Sequence, residues 1–428
     1  MFNKNSFEGE PMKRPERMMY GTSFIICLIC LGIAGICYAD SAEVLPKGVA
    51  NISLDGKFYF KINERYNPDG DAEDVATDYN TTLDSTVFSD LSLVEQFFGM
   101  PPGSANLGRT DVSFDYYFTI TELTFMYGIT DRLSVGVLLP YWWVENKVQS
   151  SLDTSAATVG KNAALNNLVP LAVPGTVPLT KKDVINLLAK GLDINGDGTV
   201  DIPGFGYKEF GTFKNNGIGD MELGFRYQYL KTENWRLAFM GGVRFPTGDK
   251  DDPDDLTAYP IGAGAYALLF RLNNDYLGVK NLVLNATFRY DLILPDHETL
   301  RIPDSVDLPI TANKENVDRD IGDVFEMEVS GTYALSKGFN VTLDYKYGLS
   351  LKDDVSGDEG FAYESLEDET DYTEHVFLGT LSYSTLPLYL EKKFPLPLIA
   401  SISYRNRFAG SNNIFKSQYI GAGIQVYF

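Results

Sequence analysis

Cysteine is confined to the first 40 residues. Cys27, Cys30 and Cys37 are the only three, so the rest of the chain can form no disulfide and offers no thiolate to a metal. Histidine is almost absent, with only His297 and His375. Basic residues are few: 36 Lys and Arg stand against 58 Asp and Glu, a net charge of −22, which repels phosphate backbones and argues for no nucleic-acid partner. Beyond residue 39 no stretch has 18 consecutive apolar residues, so a transmembrane helix is excluded there. Only 3 Trp occur, beside 26 Tyr, 27 Phe and 39 Gly, a mix that suits strands and turns. A mean hydropathy of −0.13 is too polar for a helical membrane protein but fits strands that are apolar on one face only.

The N-terminus reads as an export signal. Lys13, Arg14 and Arg17 precede an apolar run over 24–38, too short to span a bilayer, that ends at Ala39. We place the cut before Asp40, giving a signal peptide at 1–39 and a mature chain at 40–428 with net charge −23. A membrane anchor and lipid attachment at Cys37 are the alternatives, the latter opposed by the bulky Ile36.

From residue 50 onward the chain alternates apolar and polar residues in segments long enough to cross a bilayer as tilted strands. They lie at 50–62, about 110–129, 133–143, 220–231, 235–245, about 256–272, 281–294, 323–335, 339–352, 372–386, 396–408 and 414–428. The ninth is the clearest: Phe339, Val341, Leu343, Tyr345 and Tyr347 alternate with Asn340, Thr342, Asp344 and Lys346. Trp142 and Trp143 close the third together, as an interfacial aromatic girdle would. Short turns follow the even segments and long loops mostly follow the odd ones. That predicts an all-β fold: a single closed antiparallel transmembrane β-barrel of about 12 strands, with both ends on the periplasmic side and long outer loops. A terminal strand needs a partner on each edge, and pairing with the first strand supplies it. The ending on Phe428 resembles the last strand of Gram-negative outer-membrane barrels, and that resemblance implies recognition by the outer-membrane assembly machinery.

The longest insertion, 146–216, carries the sharpest local motif. Asp193, Asn195, Asp197, Thr199 and Asp201 occupy positions 1, 3, 5, 7 and 9 of a calcium-type loop, with Gly198 at 6. A short helix precedes it, with Thr180 as N-cap and Asp183 at its third position. This helix-then-loop resembles an EF-hand or dockerin half-site and implies a structural Ca2+, although position 12 is Gly204 where those families carry an acid. The acidic loops at 64–109, 249–255 and 353–374 read as a solvated rim, bridged by divalent ions to lipopolysaccharide.

On the strand reading Lys57, Lys61, Asp220, Glu222, Arg226, Arg236, Arg244, Arg289, Asp291, Glu326, Glu328, Asp344, Lys346, Arg405 and Arg407 line the lumen. Placed toward lipid, each would cost about 2–4 kcal/mol at the midplane. Both signs are present, so they either seal the barrel as ion pairs or line a wet path. Some twelve-stranded barrels are phospholipases, but neither histidine here stands beside a nucleophile motif, and we expect no enzyme.

Three stretches are similar to a family of outer-membrane barrels assigned to the meta-pathway of phenol degradation: residues 127–135 (YGITDRLSV), 217–220 (GIGD) and 245–249 (FPTGD). The family is loosely similar to porins that take up aromatic hydrocarbons and fatty acids. The resemblance implies a Gram-negative outer-membrane channel for passive uptake of small, apolar or aromatic compounds, in contact with outer-membrane lipid and lipopolysaccharide. The alternative is a structural or interaction barrel with a plugged lumen and calcium-stiffened outer loops that bind partners. A strand interrupted near Gly262, Ala263 and Gly264 beside a lumen gap would favour uptake.

Overall fold

The computed structural model describes residues 40–305 and 308–428; the signal-peptide reading of 1–39 lies outside them. Twelve strands form one antiparallel sheet that closes on itself. In chain order they are β1 (Ala50–Tyr59), β2 (Arg109–Thr130), β3 (Leu133–Asp153), β4 (Phe213–Ile218 continued by Met221–Lys231), β5 (Trp235–Phe245) and β6 (Ala267–Val279). Then follow β7 (Leu282–Ile293), β8 (Val324–Ser336), β9 (Phe339–Ser350), β10 (Tyr372–Ser384), β11 (Leu398–Gly410) and β12 (Gln418–Tyr427). Each strand pairs with its sequence neighbours, and β12 closes on β1 from Tyr427 opposite Asn51 to Tyr419 opposite Tyr59. The last residue completes the seam: the Phe428 amide donates to the Ala50 carbonyl at 2.9 Å, and the Ala50 amide donates back at 3.1 Å. No open edge remains at this seam.

Alternation sets the two faces. Ile52, Leu54, Phe58, Leu123, Phe125, Leu223, Phe225, Phe288, Met327, Leu343, Ile402, Ile420 and Ile424 project outward and are exposed. Asn51, Ser53, Lys57, Glu122, Arg271, Asp291, Glu326, Lys346, Glu374 and Arg407 project inward and are buried. An apolar outer belt around a polar interior is the pattern lipid demands of a barrel.

Three features depart from the sequence reading. The sixth strand is displaced from 256–272 to Ala267–Val279. Asn273, Asn274 and Asp275 read as a turn because these side chains favour turns, yet they lie within the strand and the reversal comes at 280–281, where Asn281 takes φ +60°. The third strand runs on to Asp153, paired with β2 as far as Arg109 opposite Asp153, so the insertion begins about eight residues later than expected. Of the Trp pair, only Trp143 faces out; Trp142 is buried in the lumen, because neighbouring strand positions point to opposite faces.

The outer loops are folded in their own right. Residues 60–108 and 154–212 share a core of Leu83, Phe88, Leu91, Leu107, Val159, Leu168, Val184, Leu187 and Leu192. That core joins helix α1 (Leu91–Phe98) to α2 (Lys181–Leu188). Helix α2 starts on the expected capping box: Thr180 accepts from the Asp183 amide, and Asp183 accepts from the Thr180 amide. The acids are therefore not a bare rim. Arg65 bridges Glu73 and Asp78 at 2.8 and 2.6 Å, Asp254 holds Arg301 and Lys314, and Asp252 holds Lys208.

Candidate functional site

The segment before β1 turns into the lumen from the turn end of the barrel. The Asp40 carboxylate accepts from Arg226 at 2.5 Å and from Arg271 at 3.1 Å, and its carbonyl accepts from Asn273, Asn285 and Thr287. Ser41 donates through its hydroxyl, and Ala42 through its amide, to Asp275. The Ala42 carbonyl accepts from Gln228, and Glu43 pairs with Arg236 at 3.1 Å. Gly128 lets the segment through: a Cβ there would stand 2.1 Å from the Pro46 carbonyl oxygen.

From Asp40 a continuous band of ion pairs runs round the wall. Arg271 reaches Glu222 at 4.0 Å, Glu222 holds Arg244 at 2.8 Å, and Arg244 holds Asp291 at 2.9 Å. Arg289 then bridges Asp291 at 2.8 Å and Glu326 at 3.1 Å. Lys346 bridges Glu326 and Glu374, both at 2.7 Å, and Glu374 holds Arg407 at 2.7 Å. The band crosses every strand from β4 to β11, and the Lys57–Glu122 pair at 2.6 Å joins β1 to β2. In a low-dielectric interior such charges are tolerable only because each finds its opposite.

Toward the loop end the lumen changes character. Tyr59, Phe114, Tyr116, Phe118, Trp142, Tyr259 and Tyr419 pack together as buried inward residues, with Phe415 against them. Rings follow one another outward: Tyr59 to Phe118 at 6.0 Å, Phe118 to Tyr116 at 5.9 Å, and Tyr116 to Phe114 at 6.2 Å. Phe114 meets Tyr79 at 4.7 Å, and Tyr79 meets Phe210 at 5.8 Å. Tyr79 and Phe210 line a cavity of about 420 Å³ between the folded loops and the barrel, shared with Leu83, Val87, Val184, Leu188 and Ile310. Concave, mainly apolar sites of this size suit small apolar ligands.

The wall also has a step. The Phe213–Ile218 part of β4 pairs with β3 alone, since β5 ends at Phe245. Loop 246–266 fills the place of a second neighbour. Asp220 pins it, accepting from the Gly248 amide at 3.0 Å and the Ala263 amide at 2.8 Å. Gly262 lies so near Gly248 that a Cβ would come within 2.7 Å of the Gly248 Cα.

The chain matches the family described as "Putative MetA-pathway of phenol degradation" over residues 99–385, more than half its length. It belongs to this family. No curated protein sequence matches it. Among solved structures it is similar to the COG4313 outer membrane channel from Pseudomonas putida F1, at 11% identity, 92% coverage of this chain, 100% of that one, and a TM-score of 0.52. Weaker likenesses include a Pseudomonas aeruginosa FadL homologue, at 12% identity, 90% of each chain and a TM-score of 0.35. The Ralstonia pickettii toluene transporter TbuX gives 11% identity, 90% of each chain and a TM-score of 0.35. The first fixes the fold as that of an outer-membrane β-barrel.

Of the inward residues read from sequence, this family member places Glu222, Arg244, Arg289, Asp291, Glu326, Lys346, Arg405 and Arg407 in or beside the band. Arg226 and Arg236 hold the N-terminal segment, and Lys57 pairs on the opposite wall. Lys61 stands beyond the end of β1, exposed beside Asp115. Asp220 anchors a loop. Glu328 and Asp344 stand apart from the band. Sequence reading missed Asp40, Glu122, Arg271, Asp275 and Glu374. Glu122 was detectable as the one charge in the inward row Val112, Phe114, Tyr116, Phe118, Ile120; Arg271 and Asp275 were lost with the displaced sixth strand.

The calcium-type loop is closed on itself. Asp193 accepts from the Gly196 and Gly198 amides, Asn195 from the Asp197 amide, Asp197 from Thr199, and Asp201 from the Ile194 amide. Among the described residues no group of three or more His, Cys, Asp or Glu is gathered to hold a metal ion. Of the histidines, His297 pairs with Asp318 at 2.5 Å in a loop, and His375 bonds the Tyr345 hydroxyl at 2.8 Å.

Asp251 in loop 246–266 is a pH-sensitive group outside the wall. Burial pushes its carboxyl up to about 7; the Asp252 amide opposes this, while Glu298, Asp252 and Asp255 add to it. The folded loop thus binds the proton more tightly than the unfolded one, so its stability falls as pH rises from about 4 toward 7 and is lowest above that. Limited proteolysis should cut this loop faster at pH 8 than at pH 5, and Asp251→Asn should abolish the difference.

Proposed function

We propose that this barrel is an outer-membrane channel for small apolar or aromatic compounds, with the folded loops facing outward. The observation that carries the reading is the unbroken run of rings from the loop cavity, through Tyr79 and Phe114, to Phe118 and Tyr59 inside the barrel. Apolar solute gains by leaving water for such a surface. Below it the ion-pair band and the N-terminal segment oppose onward passage of a neutral, apolar molecule. The stepped wall at loop 246–266 offers a sideways exit toward lipid where a loop, not a strand, closes the barrel.

The test is uptake of a labelled monoaromatic hydrocarbon by cells that carry the barrel in an otherwise poorly permeable outer membrane. A charge at the cavity should repel solute, because burying it without a partner is costly. Tyr79→Asp with Phe210→Asp is therefore expected to slow uptake by about tenfold, equal to about 1.4 kcal/mol, while the heat-modifiable gel shift of the folded barrel persists. Equal uptake with and without the barrel would favour the second reading, a plugged structural barrel. The self-contained core of its outer loops supports that reading.

A further inference from the structure

One pair of lumen carboxyls stands outside the pattern of opposite charges. Glu328 on β8 and Asp344 on β9 are diagonal neighbours across the ladder, where Glu328 stands opposite Lys346 and Asp344 opposite Ser330. Among the described residues, no Lys or Arg nitrogen lies within 4.0 Å of either, whereas Asp40, Glu122, Glu222, Asp275, Asp291, Glu326 and Glu374 each have such a partner. What does reach the pair is backbone: the nitrogen of Asp40 donates to Glu328 Oε1 at 3.1 Å. Every polar group of Asp40 is thereby held. Its side chain lies between Arg226 and Arg271, its carbonyl under Asn273, Asn285 and Thr287, and its nitrogen on Glu328.

We propose that Glu328 and Asp344 are a receptor for the free α-ammonium group of Asp40, created when the chain is cut between Ala39 and Asp40. The inference rests on that cut and is independent of the solute carried. A peptide nitrogen brings one hydrogen and no charge. Hydrolysis of the bond gives Ala39 its carboxylate and leaves Asp40 an ammonium with three donors and a full positive charge, enough to bridge both carboxyls with charge-assisted bonds. Capture of a chain terminus by groups matched to its charge is an established mode of recognition. The clamp accepts Asp40 in one register only, because one added residue would move the charge off the pair while the side chain stayed between its arginines. Cleavage and seating of the lumen segment are then one event: only a correctly trimmed chain completes the charge pattern of the barrel.

The experiment uses the barrel exported from its own full-length chain and purified folded. Mass spectrometry of the N-terminal peptide first identifies the terminus, and a terminus other than Asp40 overturns the proposal. The α-amine is then acylated under mild conditions. It is expected to react at least about tenfold more slowly in the folded barrel than after boiling in detergent, since reaction requires local release of the segment. Equal rates would overturn the idea. In the double variant Glu328→Gln, Asp344→Asn that protection should fall several-fold, with the protection of Lys57 and Lys346 unchanged.

A second comparison separates capture from a merely structural role of the two acids. Acetylating the terminus before refolding should lower the denaturant midpoint of the wild type and leave the double variant unaffected. An equal effect of acetylation on both would contradict capture.

Discussion

Glu374→Leu is expected to destabilise the folded barrel by about 3–5 kcal/mol, the cost of breaking a buried ion pair from one side. Glu374 is 1% exposed and is the acid on which two strands converge. It holds Lys346 of β9 at 2.7 Å, and Arg407 and Arg405 of β11 at 2.7 and 3.6 Å. Lys346 keeps Glu326 when Glu374 is lost. Arg407 keeps the Phe415 carbonyl, and Arg405 keeps the Ser417 hydroxyl and the face of the Tyr419 ring, none of which carries a full negative charge. Leucine has nearly the volume of the lost side chain, so the penalty comes from stranded cations more than from a cavity. Glu374→Gln should cost less, because its carbonyl oxygen still accepts from Arg407. Urea titration of the folded and unfolded gel bands in vesicles measures both. A loss below about 1 kcal/mol for the leucine variant would mean water already solvates the band, as at an exposed pair.

The legible parts of this chain are those where one physical demand acts alone. β9 was plain because lipid on one side and a polar lumen on the other impose a strict period of two from Phe339 to Ser350. β6 was misplaced because Asn273 and Asp275 serve the lumen, where Asn273 bonds Thr287 and Asp275 bonds Arg236, while Asn274 between them faces out; together the three carry a turn composition. In β2 and β3 the loop-end lumen is apolar while outward positions turn polar, from Ser113 and Asp115 to Glu145 and Lys147, so the alternation inverts along the strand and Trp142 and Trp143 stand at the crossover. That is why Trp142 read as a partner of Trp143. Asp40 gave no signal at all, since its role comes from six groups on four strands far along the chain. The Asp193–Asp201 run was legible as a tight loop: Asp193 and Asp201 cap its own amides, a spacing shared with loops that surround calcium.

The lumen has two barriers in series, and their series arrangement predicts a sharply non-additive result. One barrier is the aromatic layer, where Phe118 contacts Tyr259 at 4.7 Å and Trp142 at 6.5 Å, and Phe415 contacts Tyr116 at 5.1 Å. The other is the N-terminal segment over the band, held by Asp40, Ser41, Ala42 and Glu43. Gly128→Val should unseat the segment, because side-chain atoms would occupy the space of the Pro46 and Leu45 carbonyls. Phe118→Ser with Phe415→Ser should hydrate the aromatic layer. Ion flow follows the larger of two resistances in series, so either change alone leaves planar-bilayer current close to that of the unaltered barrel. The triple variant should give discrete conductance steps of reproducible size, a coupling well outside the additivity of distant sites. Full conductance from Gly128→Val alone would show that the rings are no barrier to water and ions. The apolar track would then be an open pore lined with aromatics, and solute selection would fall to the segment and its charges.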